Sequence, residues 1–411
     1  MTNLPQGWKW KSLGEICFIT DGTHKTPNYI ETGIPFLSVK NISKGFFDLS
    51  DVKYISLEEH NKLIKRAKPE FGDILICRIG TLGKAIKISL EFEFSIFVSL
   101  GLLKPKVKII SDYLVYFLNS CFIEEWINDN KVGGGTHTAK LNLNILEKCP
   151  IALPPLKEQE RIVGILDENF AKIDENIKIL EQDLLNLDEL MQSALQKAFN
   201  PLKDNAKENY KLPQGWEWKS LGEIANTSSG GTPSRNKKEY WENGNIKWLK
   251  SGELNDGYID FIEENITEEA IKNSSAKIFQ KGTLLIAMYG ATAGKLGILN
   301  LDSTTNQAIC AFLHKDKNIK FLEKFLFYFL FFLRDKIIKD SFGGAQPNIN
   351  QTYIKNLQIP LPPIKEQEQI TSHLDELSSH VKNLKQNYQA QIKDLQELKN
   401  SLLDKAFKGN L

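Results

Sequence analysis

At 411 residues, with 41% hydrophobic and 25% charged side chains, the chain is too long for one ordinary core and too apolar for a disordered one. At about 150 residues per domain it should form two or three folded units. Lys and Arg total 52 against 51 Asp and Glu, a formal net charge of +1, so no global basic excess announces a polyanionic partner. Five cysteines, an odd set without a CxxC pair, argue against a disulfide framework or zinc cage and fit a reducing cytosol.

Residues 1–10 lack the apolar run of a signal peptide. From Leu4 the chain reads LPQGWKWKSLGEI and then, over 21–42, DGTHKTPNYIETGIPFLSVKNI. Thr23, His24, Lys25 and Thr26 form a loop of small hydroxyl and basic side chains, the types that meet phosphates and base edges. Lys40 and Asn41, after a strand-like run at 34–39, join that candidate set. A second strand-like run at 73–79 carries Arg78 into the glycine turn GTLGK at 80–84, where Lys84 either meets a phosphate or closes a plain turn. The spacing is not that of a Walker A loop, which needs four residues between its glycines and Ser or Thr after its lysine. An apolar helix is expected over 112–127. The loop GGGTHTAKLN at 133–142 follows, its glycines leaving His137, Thr138 and Lys140 to approach a groove or merely to lead onward.

After LPP at 153–155, apolar residues step three and four apart through Ile162, Leu166, Phe170, Ile173, Ile177, Leu180, Leu184, Leu187, Met191 and Ala194, the seam of a coiled coil. Pro155 marks the start, and Glu158 and Glu160 lie in the first turn, where the helix dipole favours negative charge. A spacer helix at 156–199 of about 40 residues and ~60 Å is expected, then a polar hinge at 200–211 (NPLKDNAKENYK).

The plan then starts again. LPQGWEWKSLGEI at 212–224 repeats the opening with twelve identities in thirteen, 208 residues on. LPPIKEQEQI at 361–370 answers LPPLKEQERI, and SLLDKAF from Ser401 answers SALQKAF from Ser193, both at the same offset. Between these anchors the halves diverge: the stretch from Ser229 reads SGGTPSRNKKEYWENGNIKWLK. Its loop supplies Thr232, Ser234, Arg235, Asn236 and Lys237, and Lys250 ends the run. A strand at 282–288 enters the turn GATAGK at 290–295, which carries Lys295, and GGAQPNIN at 343–350 supplies Gln346 and Asn348. The apolar helix at 320–339 contains a nine-residue hydrophobic stretch at 325–333; a membrane span needs roughly 20, so this one is read as buried core. The second long helix, within 362–411, has its seam at Ile370, Leu374, Leu377, Val381, Leu384, Tyr388, Ile392, Leu395, Leu398 and Leu402, with His373 and His380 on a solvated face.

Strands, glycine turns and a late helix in each half make an α+β fold, with globular domains at 1–155 and 212–361. These are mildly basic, 19 basic against 16 acidic groups and 18 against 16, while the segments at 156–211 (8 and 12) and 362–411 (7 and 7) are not. The first helix delivers the chain to the second domain, so a second helix can pack along it only by running back. The expectation is an antiparallel two-helix coiled coil with one domain at each end, a pseudo-twofold repeat, and a C-terminus that returns to the first domain. Like ends around unlike middles suggest one scaffold carrying two readings, or drift after duplication.

In this order and in duplicate, the LPxGWxWxxLGEI opening, the DGTHKTP and GIPFLSVKNI run, the GGTPSR stretch, the glycine loop and the LPPLKEQERI helix start resemble the specificity subunits of type I restriction-modification systems. The resemblance covers essentially the whole chain. It implies two target recognition domains, each reading one half of an asymmetric bipartite sequence in double-stranded DNA, with helices that set the unread gap. It further implies docking of two methyltransferase subunits, which methylate adenine with S-adenosylmethionine, and of two restriction and translocation subunits when DNA is cut. Those partners would hold the S-adenosylmethionine, ATP and magnesium, and this chain is expected to carry no cofactor or metal of its own and to work in the cytoplasm, away from membranes. Its residues agree with a non-catalytic role: the Pro-Pro pairs at 154–155 and 362–363 have no polar residue before and no aromatic after, unlike the motif of amino-methyltransferases, and no dinucleotide-binding glycine motif, helicase signature or HExxH occurs. The alternative is a stand-alone DNA-binding regulator, against which the near-neutral charge speaks.

Overall fold

The computed structural model describes residues 4–134, 139–199, 212–315, 320–340 and 349–411. The expected hinge at 200–211 lies outside them, as do His137, Thr138, Gln346 and Asn348. The chain divides into two compact units, 1–181 with 389–411 and 182–388. The division therefore falls inside the long helices rather than at their ends, because half of each helix packs on each unit.

In the first unit the two repeated motifs of the sequence meet. Strand Lys9–Ser12 of the opening pairs antiparallel with Pro150–Leu153, Trp10 opposite Ala152. The short helix Leu13–Ile16 follows because the Glu15 carboxylate accepts from Ser12 N at 2.7 Å, a capping box that holds the first turn. A four-stranded antiparallel sheet runs Cys17–Asp21, Leu100–Pro105, Ile74–Cys77, Ala85–Lys87, and a three-stranded one runs Lys53–Ile55, Ile34–Leu37, Ser95–Ile96. One core gathers Leu13, Ile16, Ile74, Tyr113, Phe117, Leu166 and Phe407; the other gathers Leu37, Ile42, Leu75 and Phe94.

The second unit repeats this plan. Glu217–Ser220 pairs with Gln358–Leu361, and Ser220 and Glu223 form the same capping box. Its larger sheet runs Ala225–Ser229, Ile309–His314, Leu284–Ala287, Leu296–Leu299 and gains a fifth, parallel strand, Gly257–Ile259. The smaller sheet runs Asn265–Ile266, Ile246–Leu249, Ser303–Thr305, Ile278–Phe279. The apolar stretch at 325–333 forms helix Glu323–Phe332, whose residues Phe325 to Leu330 are all buried, as its composition predicts.

Each single late helix expected from the sequence is two. In the first unit Ser111–Leu118 and Cys121–Asn130 break at Asn119, whose side chain bonds both polar groups of the Ala85 backbone, accepting from its N at 3.1 Å and donating to its O at 2.8 Å. A continued helix would carry that amide away from the sheet edge. In the second unit Glu323–Phe332 is followed by Arg334–Lys339.

The long helices run Leu156–Phe199 and Ile364–Phe407, each directly after its Pro-Pro pair. The KEQE motif explains their rigid attachment. Gln159 is 1% exposed; its Oε1 accepts from Ile110 N and its Nε2 donates to Pro154 O, both at 2.9 Å. Gln367, equally buried, accepts from Leu322 N and donates to Pro362 O at the same distances. Gln159→Ala or Gln367→Ala should therefore cost about 1–3 kcal/mol for each backbone group left unsatisfied. A shifted denaturation midpoint with an unchanged slope checks this, and an unshifted one would contradict the clamp.

Within each unit the two helices run antiparallel. In the first, Lys399 bonds Asp174 at 2.6 Å and lies 4.8 Å over the Phe170 ring, and Arg161 donates to the Leu411 carbonyl. In the second, Lys385 bonds Asp188. The first-helix seam is buried or half-buried throughout. Leu384 and Leu398 of the second-helix seam, however, face solvent. The neighbouring Lys385 and Lys399 are half-buried instead, their apolar stems covering the seam while their ammonium groups reach aspartates.

Candidate nucleic-acid interface

The candidate loops that follow the second strand of each repeat, Cys17–Asp21 and Ala225–Ser229, are set by one backbone device. Strand Cys17–Asp21 ends on Gly22, where a Cβ would lie 2.0 Å from the Ile96 carbonyl oxygen; strand Ala225–Ser229 ends on Gly230, where a Cβ would lie 2.0 Å from the Thr305 oxygen. Only glycine allows this approach. It delivers Thr23 N to Ile96 O at 3.1 Å and Gly231 N to Thr305 O at 2.9 Å, which throws the following residues outward.

In the first unit the outward residues are His24, Lys25 and Thr26, all exposed. Thr23 Oγ1 and the Lys25 backbone close a tight turn. A cleft of about 430 Å³ is lined by Thr23, His24, Lys25, Lys62, Leu63 and Arg66. Beneath it Asp21, almost fully buried, binds both Arg66 and Arg78 and lies 3.1 Å from His24 Nε2. Burial works to raise the Asp21 carboxyl, but the bonds and charges of Arg66 and Arg78 outweigh it and hold it below the usual carboxylate range.

The second unit holds a different cluster on the corresponding loop. Thr232 donates to Gln307. Arg235 lies 3.6 Å over the Trp241 ring and 4.8 Å over Trp248, and pairs with Glu264 at 2.7 Å. Lys250 reaches the other oxygen of Glu264 at 2.8 Å. Burial opposes the Glu264 charge, yet Lys250 and Arg235 hold its carboxyl low. Trp248 Nε1 donates to Gly231 O at 2.9 Å and pins the loop, while Ser234 O accepts from Trp241 Nε1 at 3.1 Å. Asn236 and Lys237 are exposed, Lys237 donating to the Tyr240 hydroxyl at 3.0 Å.

Equivalent backbone positions show how far the two sites differ. Arg78 N donates to Ser99 O and Arg78 O accepts from Leu141 N; Met288 does the same with Ala308 and Ile349. Asp21 and Ser229 end the matching strands. The buried Asp21–Arg78 pair of one unit is thus Ser229 and Met288 in the other, where Ser229 Oγ is met by Gln351 Nε2.

The two glycine turns are hairpin ends. Gly83 N donates to Cys77 O and Gly294 N to Ala287 O, with positive φ at Gly80, Gly83, Gly290 and Gly294. Lys84 is half-buried and Lys295 exposed, and neither has a side-chain partner among the described residues. Lys140 is exposed and its backbone pairs with Val132 at 2.9 Å in both directions, closing the base of the loop whose tip is not described. Lys40 is exposed on the single turn Val39–Asn41.

Two sequence candidates are corrected. Asn41 is buried, its Oδ1 accepting from Ser38 N and its amide nitrogen donating to Asp48 O and Asp51 O. Arg78 is buried on Asp21 with Nε on Leu141 O at 2.9 Å. The groups named here hold the domain together from within. Residues that sequence reading missed are Lys62, Arg66, Trp241, Trp248 and Glu264. The basic run of KLIKR at 62–66 behind an Ser56-capped helix was the available signal for the first two.

Residues 5–183 and 213–394 each match the family model of the type I restriction modification DNA specificity domain. The chain is 27% identical over 433 aligned positions to the type I restriction enzyme StySPI specificity subunit of Salmonella potsdam, covering 99% of this chain and 90% of that one. It is 26% identical over 434 positions, with the same coverage, to the EcoKI specificity subunit of Escherichia coli K12. Among solved structures, the HsdS subunit from Thermoanaerobacter tengcongensis superposes with a TM-score of 0.59 at 23% identity, over 100% of this chain and 99% of that one. A chain from a study of complex assembly and conformational transition of the type I R-M system gives a TM-score of 0.80 at 24% identity, with both chains fully covered. At those identities the two structures speak for the fold.

Proposed function

The chain belongs to the type I restriction modification DNA specificity family, and on that premise we propose that its two units read the two unlike halves of one bipartite target in double-stranded DNA. It is a DNA sequence-specificity subunit. The first unit reads through the cleft of Thr23, His24, Lys25, Lys62 and Arg66, with Thr26, Lys40, Lys84 and Lys140 as further contacts. The second reads through Thr232, Ser234, Arg235, Asn236 and Lys237, with Lys250 and Lys295. The observation that carries this reading is that matched backbones bear unmatched chemistry: Asp21 and Arg78 stand where Ser229 and Met288 stand.

Exposed lysines and hydroxyls suit phosphates, which position a protein on the duplex, while the planar Arg66 and Arg235 suit base edges, which specify. The long helices set the distance between half-sites and dock two methyltransferase subunits, with Ile179, Leu185, Leu190, Leu384 and Leu398 among the exposed apolar residues that such docking would cover. Two restriction subunits join for cleavage. The chain supplies the address and no chemistry of its own; S-adenosylmethionine, ATP and magnesium belong to the partners, and the complex acts on cytoplasmic DNA. No described helix is long and apolar enough to cross a membrane.

Sequencing the modified bases of a host that carries this gene and its methyltransferase gene tests the reading. Methylation at a motif with two different halves around an unread gap is expected, lost when this gene is deleted. A continuous motif, or one unaffected by the deletion, would refute it.

A further inference from the structure

Arg66 is placed differently from every other cation of the first cleft. Its side chain is 54% exposed, yet it is seated on a carboxylate that is 2% exposed. Nε donates to the Asp21 carbonyl at 3.2 Å and Nη2 to the Asp21 carboxylate, so one full side of the guanidinium fork is fixed. Asp21 is itself held by Arg78, which is anchored on Leu141 O at 2.9 Å. His24 Nε2 lies 3.1 Å from Asp21 Oδ2 and 3.4 Å from Arg66 Nη2. In the tautomer that donates to Asp21 it cannot also accept from Arg66. Nη1 has no partner among the described residues, Nη2 keeps a long contact to the exposed His24 ring, and this outer edge of the fork borders the cleft of Thr23, His24, Lys25, Lys62 and Leu63.

That edge presents two parallel N–H groups whose plane and direction are set before any ligand arrives. Its match is a pair of acceptors side by side, found on DNA as guanine O6 and N7 or as two phosphate oxygens. The phosphate role needs only a mobile positive charge, which Lys25 and Lys62 already supply. Clamping an arginine from beneath by a buried carboxylate and a second arginine serves orientation, and orientation serves base reading. We propose that Arg66, positioned by Asp21, is a specificity-determining residue of the first unit that reads a guanine in its half-site. Ser229 and Met288 at the positions of Asp21 and Arg78 deny the second unit this device, so this way of holding an arginine belongs to the first unit only. The inference rests on the reading of the first unit as a half-site reader.

The test uses the full chain assembled with its methyltransferase subunits and selection from randomised duplexes. Wild type should select one guanine in the first half-site and lose about tenfold in affinity when that base is 7-deazaguanine, which lacks one of the two acceptors. Arg66→Lys, which keeps the charge beside Asp21 and loses the fork, and Arg66→Ala should lose the preference for that guanine by about 10- to 100-fold and become indifferent to 7-deazaguanine. Preferences in the other half-site should stay, and melting curves should confirm that Arg66→Lys is folded. A loss spread evenly over all sequences, with a shallower salt dependence, would make Arg66 a phosphate contact and overturn the proposal. So would an unchanged guanine preference. A wild-type protein that selects no bipartite sequence at all would instead sink the underlying reading.

Discussion

Exchanging residues 1–155 for the corresponding domain of another family member is expected to replace one half of the methylated motif completely and to leave the other half and the gap as they were. The physical basis is that every contact shaping the first cleft, from Gly22 on the Ile96 carbonyl to Asp21 on Arg66 and Arg78, lies inside that segment. The seams lie in repeated motifs: Gly7 with its φ of 88° packs on Pro155, and Lys9–Ser12 pairs with Pro150–Leu153, so both sides of the join move together. Each mismatched base pair costs about 1–3 kcal/mol, roughly additively, so three changed positions should lower affinity for the old half-site by about a hundredfold or more. Sequencing of modified bases before and after the exchange reads the outcome directly. A change in both halves would mean that the units do not read independently.

Inserting four residues between 175 and 187 of the first long helix is the second large effect. Four residues add ~6 Å and turn the helix by about 40° beyond a full turn. The Asp174–Lys399 pair lies on one side of the insertion and Asp188–Lys385 on the other, so at least one pair must lose its register. If the helices set the gap, the motif should acquire about two more unread base pairs, or methylation should fail, while both half-sites keep their sequence. An altered half-site would contradict a purely spacing role for the helix.

The helical parts of this architecture were legible because helix packing leaves a local periodic trace. The seam from Ile162 to Ala194 is buried or half-buried along its length, and of the nine apolar residues at 325–333 six are core and the other three pack half-buried against it. Local pattern failed where a single side chain had a distant appointment. Asn119 breaks an otherwise continuous apolar helix to reach Ala85, and Leu384 and Leu398 yield to Lys385 and Lys399, whose aspartate partners lie some 200 residues away in the chain. The same limit governs the candidate site. The outward loop of Thr23 to Thr26 could be read from residue types, but Arg66 meets Asp21 across 45 residues and Arg78 meets it across 57, and no spacing rule links them. Asn41 and Arg78 have the chemistry of DNA contacts and are occupied within the domain.

By itself, the sequence determined duplication, helix length and family, since repeats, heptads and ordered motifs are carried by neighbouring residues and survive without coordinates. Tertiary structure alone decided which polar groups are free. Sheet register brings Asp21 beside Arg78 and puts Ser229 and Met288 at the matching positions of the second unit, the turn after helix Leu57–Leu63 lays Arg66 on Asp21, and whether a cation faces a carboxylate or a cleft depends on chain segments that meet only when folded.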